Sequence, residues 1–150
     1  MLLPANPGPE LLTLASNALS KSESAFTDAY LLAWFRFHRS LLEYRAGRCA
    51  EALASARQAA EWRGEFCRVY SLLIQSMASH RLGNESEARR LWQQAADSIP
   101  ALQKEPQNLT NTRNLLLIQL LLEEASALLG LDDRPPRPQA AQSPRNVPTP

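Results

Sequence analysis

The chain repeats itself. Tyr44-Arg45-Ala46-Gly47-Arg48 returns as His80-Arg81-Leu82-Gly83-Asn84, Ser40 returns as Ser76, Glu51-Ala52 as Glu87-Ala88 and Ala59 as Ala95, all at one spacing of 36 residues. A repeat of this length with a glycine in its middle is the pattern of helical hairpins stacked side by side. Each unit is too small to bury its own apolar face and needs its neighbour. Glycine accepts the left-handed conformation that ends a helix. The small residues at 40/76, 52/88 and 59/95 let two helix backbones approach closely.

Proline marks where such an array can lie. Pro4, Pro7 and Pro9 open the chain, none follows until Pro100 and Pro106, and six more fall between Pro135 and Pro150. Proline disrupts helix interiors, so the span 10–99 is free to be helical and the ends are not. Alanine, leucine, arginine and glutamate fill that span, whereas valine and isoleucine are rare, so strands are not expected. Breakers and caps give a map of six helices. The first covers 9–19, with a polar connector at 20–24. The second begins at Thr27 or Asp28 and ends at Gly47. The third covers 50–63, ahead of Gly64, and the fourth 66–82, ahead of Gly83. The fifth begins at Asn84, with Glu87 three residues on, and ends before Pro100. The last covers 112–129, ahead of Gly130. The expected organisation is an irregular lead-in (1–9), a helical domain (10–130) and a disordered, proline-rich tail (131–150).

These spaced residues resemble the tetratricopeptide repeat (TPR) family over about residues 33–100. The shared marks are the small Ser40 and Ser76, the turn glycines Gly47 and Gly83, Ala52 and Ala88, Ala59 and Ala95, and the closing Pro100. Trp34-Phe35, 42–48 and 77–83 are also similar to the TPR segments at the C-terminus of large bacterial serine/threonine kinases of planctomycete type, and the helix at 120–129 to their capping helix. The kinase itself is not encoded. A glycine-rich loop, Val-Ala-Ile-Lys, His-Arg-Asp and Asp-Phe-Gly are all missing. The resemblance implies an all-α fold of antiparallel helical hairpins, about two repeats with flanking N-terminal and capping C-terminal helices. Three features depart from the family. The period is 36 rather than about 34. Arg36, Arg39 and Glu43 stand where large apolar residues are usual, and so do Gln75 and Ser79 in the second unit.

Two stripes carry the sharpest functional expectation. Trp34, Phe37, Leu41, Tyr44 and Arg45 share one face of the second helix, and Tyr70, Leu73, Met77, His80 and Arg81 the matching face of the fourth. In TPR proteins that face lines the concave groove that holds peptides. There the aromatics would give contact area, and Arg45 with Arg81 could clamp a carboxylate. The same residues could equally be core. The last helix is apolar nearly all round from 115 to 122, which suits a cap on the array, or else a dimer or partner contact.

Other chemistry has little footing. His38 and His80, the only histidines, lie in no nucleophile or metal motif, and with Cys49 and Cys67 they show no ligand spacing. Adjacent Glu123 and Glu124 diverge around a helix and read as a solvated edge. No phosphate loop or basic recognition helix is present. A net charge of +1 gives no long-range attraction to nucleic acid or membrane, and 45% hydrophobic against 21% charged residues suits an ordinary buried core. Two cysteines without a CxxC point to a reducing, cytoplasmic setting. The expectation is therefore a non-enzymatic module that needs no cofactor and binds a protein or peptide. The alternative is a detached regulatory or structural piece, or an oligomerisation domain.

Overall fold

In the computed structural model, residues 8–62, 64–104 and 108–131 are described. Among them are six helices and no strand: α1 (Pro9–Ala25), α2 (Ala29–Arg45), α3 (Cys49–Ala60), α4 (Glu65–Arg81), α5 (Glu85–Leu102) and α6 (Leu109–Leu128). The expected lead-in (apart from Gly8 and Pro9) and tail (apart from Leu131) lie outside the described residues.

Local chemistry sets five of the twelve helix ends, whereas Asn84, the expected cap of α5, makes no side-chain cap bond. The Asp28 carboxylate accepts the Leu31 amide at 2.9 Å, and the Asn108 side chain accepts the Asn111 amide at 2.8 Å, each covering an otherwise unpaired donor of the first turn. Three helices end alike. Gly47, Gly83 and Gly130 take φ of 77°, 83° and 64°. The amides of Arg48, Asn84 and Leu131 then reach back to the carbonyls of Glu43, Ser79 and Ser126, each at 2.9 Å.

Several bounds differ from expectation: α3 stops at Ala60 instead of 63, α6 starts at Leu109 instead of 112, and two further differences have a visible cause. The 20–24 connector is helical and belongs to α1, because Ser22 and Ser24 return their hydroxyls to the carbonyls of Ala18 and Lys21, and Glu23 anchors to Arg39 of α2 at 2.6 Å. α5 runs through Pro100 to Leu102. Near a helix end proline removes one hydrogen bond, and Leu102, at 1% exposure, holds the final turn in the core.

α2 with α3 and α4 with α5 form the two hairpins. α3 packs on α4, α2 on α4, and α6 on both α4 and α5, while α1 touches α2 alone. The small residues that the repeat singled out (Ser40, Ala52, Ala59, Ser76, Ala88 and Ala95) are all fully buried, and the Ser76 hydroxyl donates to the Ala88 carbonyl across the second hairpin at 2.7 Å. α4 is the axis of the molecule, with every residue from 69 to 79 buried. Two of the polar residues at positions where large apolar residues were expected have polar partners. Arg39 pairs with Glu23, and the Glu43 carboxylate accepts the Ser55 hydroxyl at 2.7 Å. Cys67 is a core residue whose thiol lies 3.7 Å from the carbonyls of Ala33 and Ala59, and burial pushes its pKa up to about 11, which leaves it unreactive.

Candidate functional site

α2 and α6 flank a cleft of about 340 Å³ on the side of the array where the first helices of the hairpins face each other. α2 lines it with Tyr30, Leu31, Trp34, Phe37, His38 and Leu41, and α6 with Thr110, Arg113, Asn114 and Leu117. Its floor is a set of touching aromatics. Phe37 stacks on Tyr70 of α4 with centroids 4.7 Å apart, and Trp34 lies edge-on to Tyr70 at 5.5 Å and to Phe37 at 5.9 Å. Tyr70 also fixes the far wall, because its hydroxyl donates to the Asn114 carbonyl of α6 at 2.7 Å.

The ten stripe residues divide into three groups. Trp34, Phe37 and Leu41 line the cleft, Trp34 half-buried and the other two closed from solvent at 0% and 3%. Tyr44, Tyr70, Leu73 and Met77 are interior residues at 1% exposure or less, so in this arrangement they support the cleft and present no surface of their own. Arg45, His80 and Arg81 sit near the C-terminal ends of their helices and already have neighbours. Arg45, with a side chain 8% exposed, makes a two-pronged ion pair with Glu124 of α6. The Arg81 guanidinium lies 4.5 Å over the Tyr44 ring, and His80 Nδ1 is 3.2 Å from the Glu85 carboxylate. A vacant two-arginine clamp is therefore not what these residues form, because α6 brings its own carboxylate to Arg45. Glu124 is correspondingly not the solvated edge that its adjacency to Glu123 suggested.

Trp34 Nε1 is buried without a hydrogen-bond partner. His38 Nδ1 lies 2.6 Å from the Trp34 carbonyl, which can only accept, so this nitrogen carries the proton and Nε2 is left as an acceptor. Burial holds the His38 pKa below its usual value, against the raising effect of that backbone bond, and the Arg113 charge lowers it further. Burial likewise raises the Tyr70 pKa, with Arg113 opposing. Arg113 is thus the cation that both rings sense, and it is exposed at the rim.

Sequence reasoning missed Tyr30, His38 and Arg113. Tyr30 was within reach, since it extends the 34, 37, 41 stripe by one turn. Arg113 was not, because only the docking of α6 brings it opposite α2. No cluster of three metal-ligating side chains occurs among the described residues, and none of their helices is long and apolar enough to cross a membrane. Comparison with protein-family profiles, curated proteins and solved structures finds no match.

Proposed function

We propose that the chain is an interaction module, a TPR-like array of helical hairpins that holds a peptide or protein partner in the cleft between α2 and α6. One observation carries this reading. The cleft joins an aromatic floor that includes Trp34 and Phe37 to a cationic rim residue, Arg113. Large rigid aromatics give contact area at low entropic cost, and a rim cation can pair with an acidic group of a ligand. Nothing in the cleft is arranged as a nucleophile with its base, and an enzymatic role is no part of the proposal.

The test compares the proteins captured by the purified chain with those captured by Arg113→Glu and Leu117→Lys variants, read by mass spectrometry. Arg113 is exposed, so its variant should melt close to the parent, whereas Leu117 packs against the core, and its captures count only where its melting temperature shows it folded. A partner lost with both variants and retained by an α1 surface variant, Leu14→Lys, is the expected result. Identical captures by all four proteins would remove the cleft as the site.

A further inference from the structure

α1 is fastened to α2 at one end only. Arg39 of α2 donates to both carboxylate oxygens of Glu23 and to the Ser20 hydroxyl, the latter at 3.3 Å, and the Phe26 and Phe35 rings meet with centroids 5.7 Å apart. All of these links lie toward the connector between the two helices. From Pro9 to Leu19, no α1 side chain is hydrogen-bonded or ion-paired to α2 among the described residues. A cavity of about 350 Å³ lies between that free half and α2. Leu11, Ala15 and Leu19 line it from α1 and are only half-buried, and the buried Leu42 lines it from α2.

The walls define what fits between them. No charged side chain lines the cavity, so a ligand that carried a charge into it would lose hydration and gain no counter-ion. The only polar side chain in the walls is His38. A water molecule there would have one side-chain partner where two to four are usual, so water is a poor filler. The His38 proton sits on Nδ1, against the Trp34 carbonyl, which leaves Nε2 as the acceptor. Burial lowers the pKa of this ring, so it is neutral at pH 7.5. A polar group that pairs with it must therefore donate. The volume falls within the range of small-molecule sites, roughly 300–1,000 Å³, and the half-buried leucines offer apolar surface that an alkyl chain would take out of water.

We propose that the cavity between α1 and α2 binds a neutral single-chain aliphatic molecule, such as a primary alcohol, with its chain among the leucines and its hydroxyl donated to His38. Filling the cavity joins the free half of α1 to α2 through apolar contact, which that half otherwise shares only in part. The site does not rest on the peptide-binding reading of the α2–α6 cleft, although His38 lines both spaces.

The probes are 1-hexanol, 1-octanol and 1-decanol, titrated into the full chain and read by calorimetry and by side-chain NMR. Binding should saturate, and each added methylene should tighten it about fourfold. Heptyl methyl ether has the size of 1-octanol but cannot donate, and should bind about two- to tenfold more weakly. Octanoate at pH 7.5 should be weaker by about tenfold or more, since no group in the walls pairs with its charge. His38→Leu should keep 1-octanol binding and erase its advantage over the ether. Ala15→Phe and Ala18→Phe each fill the space and should abolish binding. No saturation by any of the alcohols, or binding that survives both cavity-filling substitutions, overturns the site. Shifts at Trp34 and Leu117 in place of Leu11 and Leu42 would do the same, because the alcohol would then lie in the α2–α6 cleft. Octanoate bound as tightly as 1-octanol, or an ether disadvantage that persists in His38→Leu, overturns the assigned ligand chemistry.

Discussion

α1 and α4 are both 17 residues long, and both alternate apolar and polar groups at helical spacing, yet they occupy opposite ends of the stability range of this molecule. α4 has neighbours on every side and is closed from residue 69 to 79, whereas α1 has no buried residue and leans on α2 alone. Local propensity makes both helical. What separates them is how much apolar surface the rest of the chain takes out of water, at roughly 25 cal/mol per Å². In a stacked array that amount is set by the number of neighbours, so the end helix is held only by half-buried apolar residues such as Leu11 and Leu19 and by polar links such as Arg39 to Glu23.

The largest expected effect tests this contrast directly. Leu73→Ala at the fully buried centre of α4 should cost roughly 2–5 kcal/mol, read from urea unfolding, because the surrounding helices cannot collapse into the space. Leu14→Ala in α1, at a residue 68% exposed, should stay within about 0.5 kcal/mol of the parent. Equal losses at the two sites would mean that α1 is far better anchored than its contacts indicate.

A smaller effect separates α4 from the helix it holds. Tyr70→Phe keeps the ring in the aromatic floor and removes only the hydrogen bond to the Asn114 carbonyl of α6. That carbonyl lies inside α6 and keeps its intrahelical partner, so the loss is that of one hydrogen bond, about 0.5–1.5 kcal/mol. Amide exchange should therefore rise mainly in α6 and little in α2 or α3. A uniform rise would mean that Tyr70 supports the whole core and not one docked helix.

The glycine caps should ignore the contrast altogether. Gly83 ends the central α4 and Gly47 the peripheral α2, but a side chain at either would point into open space, so only the backbone conformation is penalised. Gly47→Ala and Gly83→Ala should each cost about 1–2 kcal/mol. A melting temperature insensitive to Gly83→Ala alone would show that the second turn relaxes to another geometry.

The same division explains what could be seen in the sequence. Gly47, Gly83, Gly130 and Asp28 act through their own backbone surroundings, so the caps and the hairpin period could be read one residue at a time. The small residues at 40/76, 52/88 and 59/95 were legible because the repeat showed them twice. The functional face was less so. Whether Tyr44, Tyr70, Leu73 and Met77 form surface or core depends on where α6 docks, and no periodicity within 29–81 contains that information. Arg45 read as a free clamp for the same reason, since its partner Glu124 is 79 residues away. Pro100 misled in the other direction, because its usual effect as a helix breaker was outweighed by the burial of Leu102 two residues later.

The smallest effect lies where the weak and strong regions meet. His38 lines the α2–α6 cleft on one side and, on the other, an apolar cavity of about 350 Å³ that α1 closes with Leu11, Leu14 and Leu19. Burial between them lowers its pKa, and the Arg113 charge across the cleft acts in the same direction. In the unfolded chain the ring titrates near its ordinary value of about 6.5. Above that pH it is neutral in both states and contributes nothing to the pH dependence. As the pH falls through that value, the unfolded chain takes up a proton that the folded chain resists, so stability declines, and the loss is complete once the pH is below the folded pKa. One proton limits the slope to about 1.4 kcal/mol per pH unit. Urea midpoints between pH 7.5 and 5.5 should therefore fall for the parent chain and flatten for His38→Gln. Because α1 forms one wall around this ring, opening that wall should return water to it. Leu14→Gln with Leu19→Gln, which admits water without adding charge, should shift the imidazole titration seen by NMR toward its ordinary value. A His38 signal that titrates identically with and without those glutamines would mean that α1 does not shield it, and that the cleft side alone keeps the ring dry.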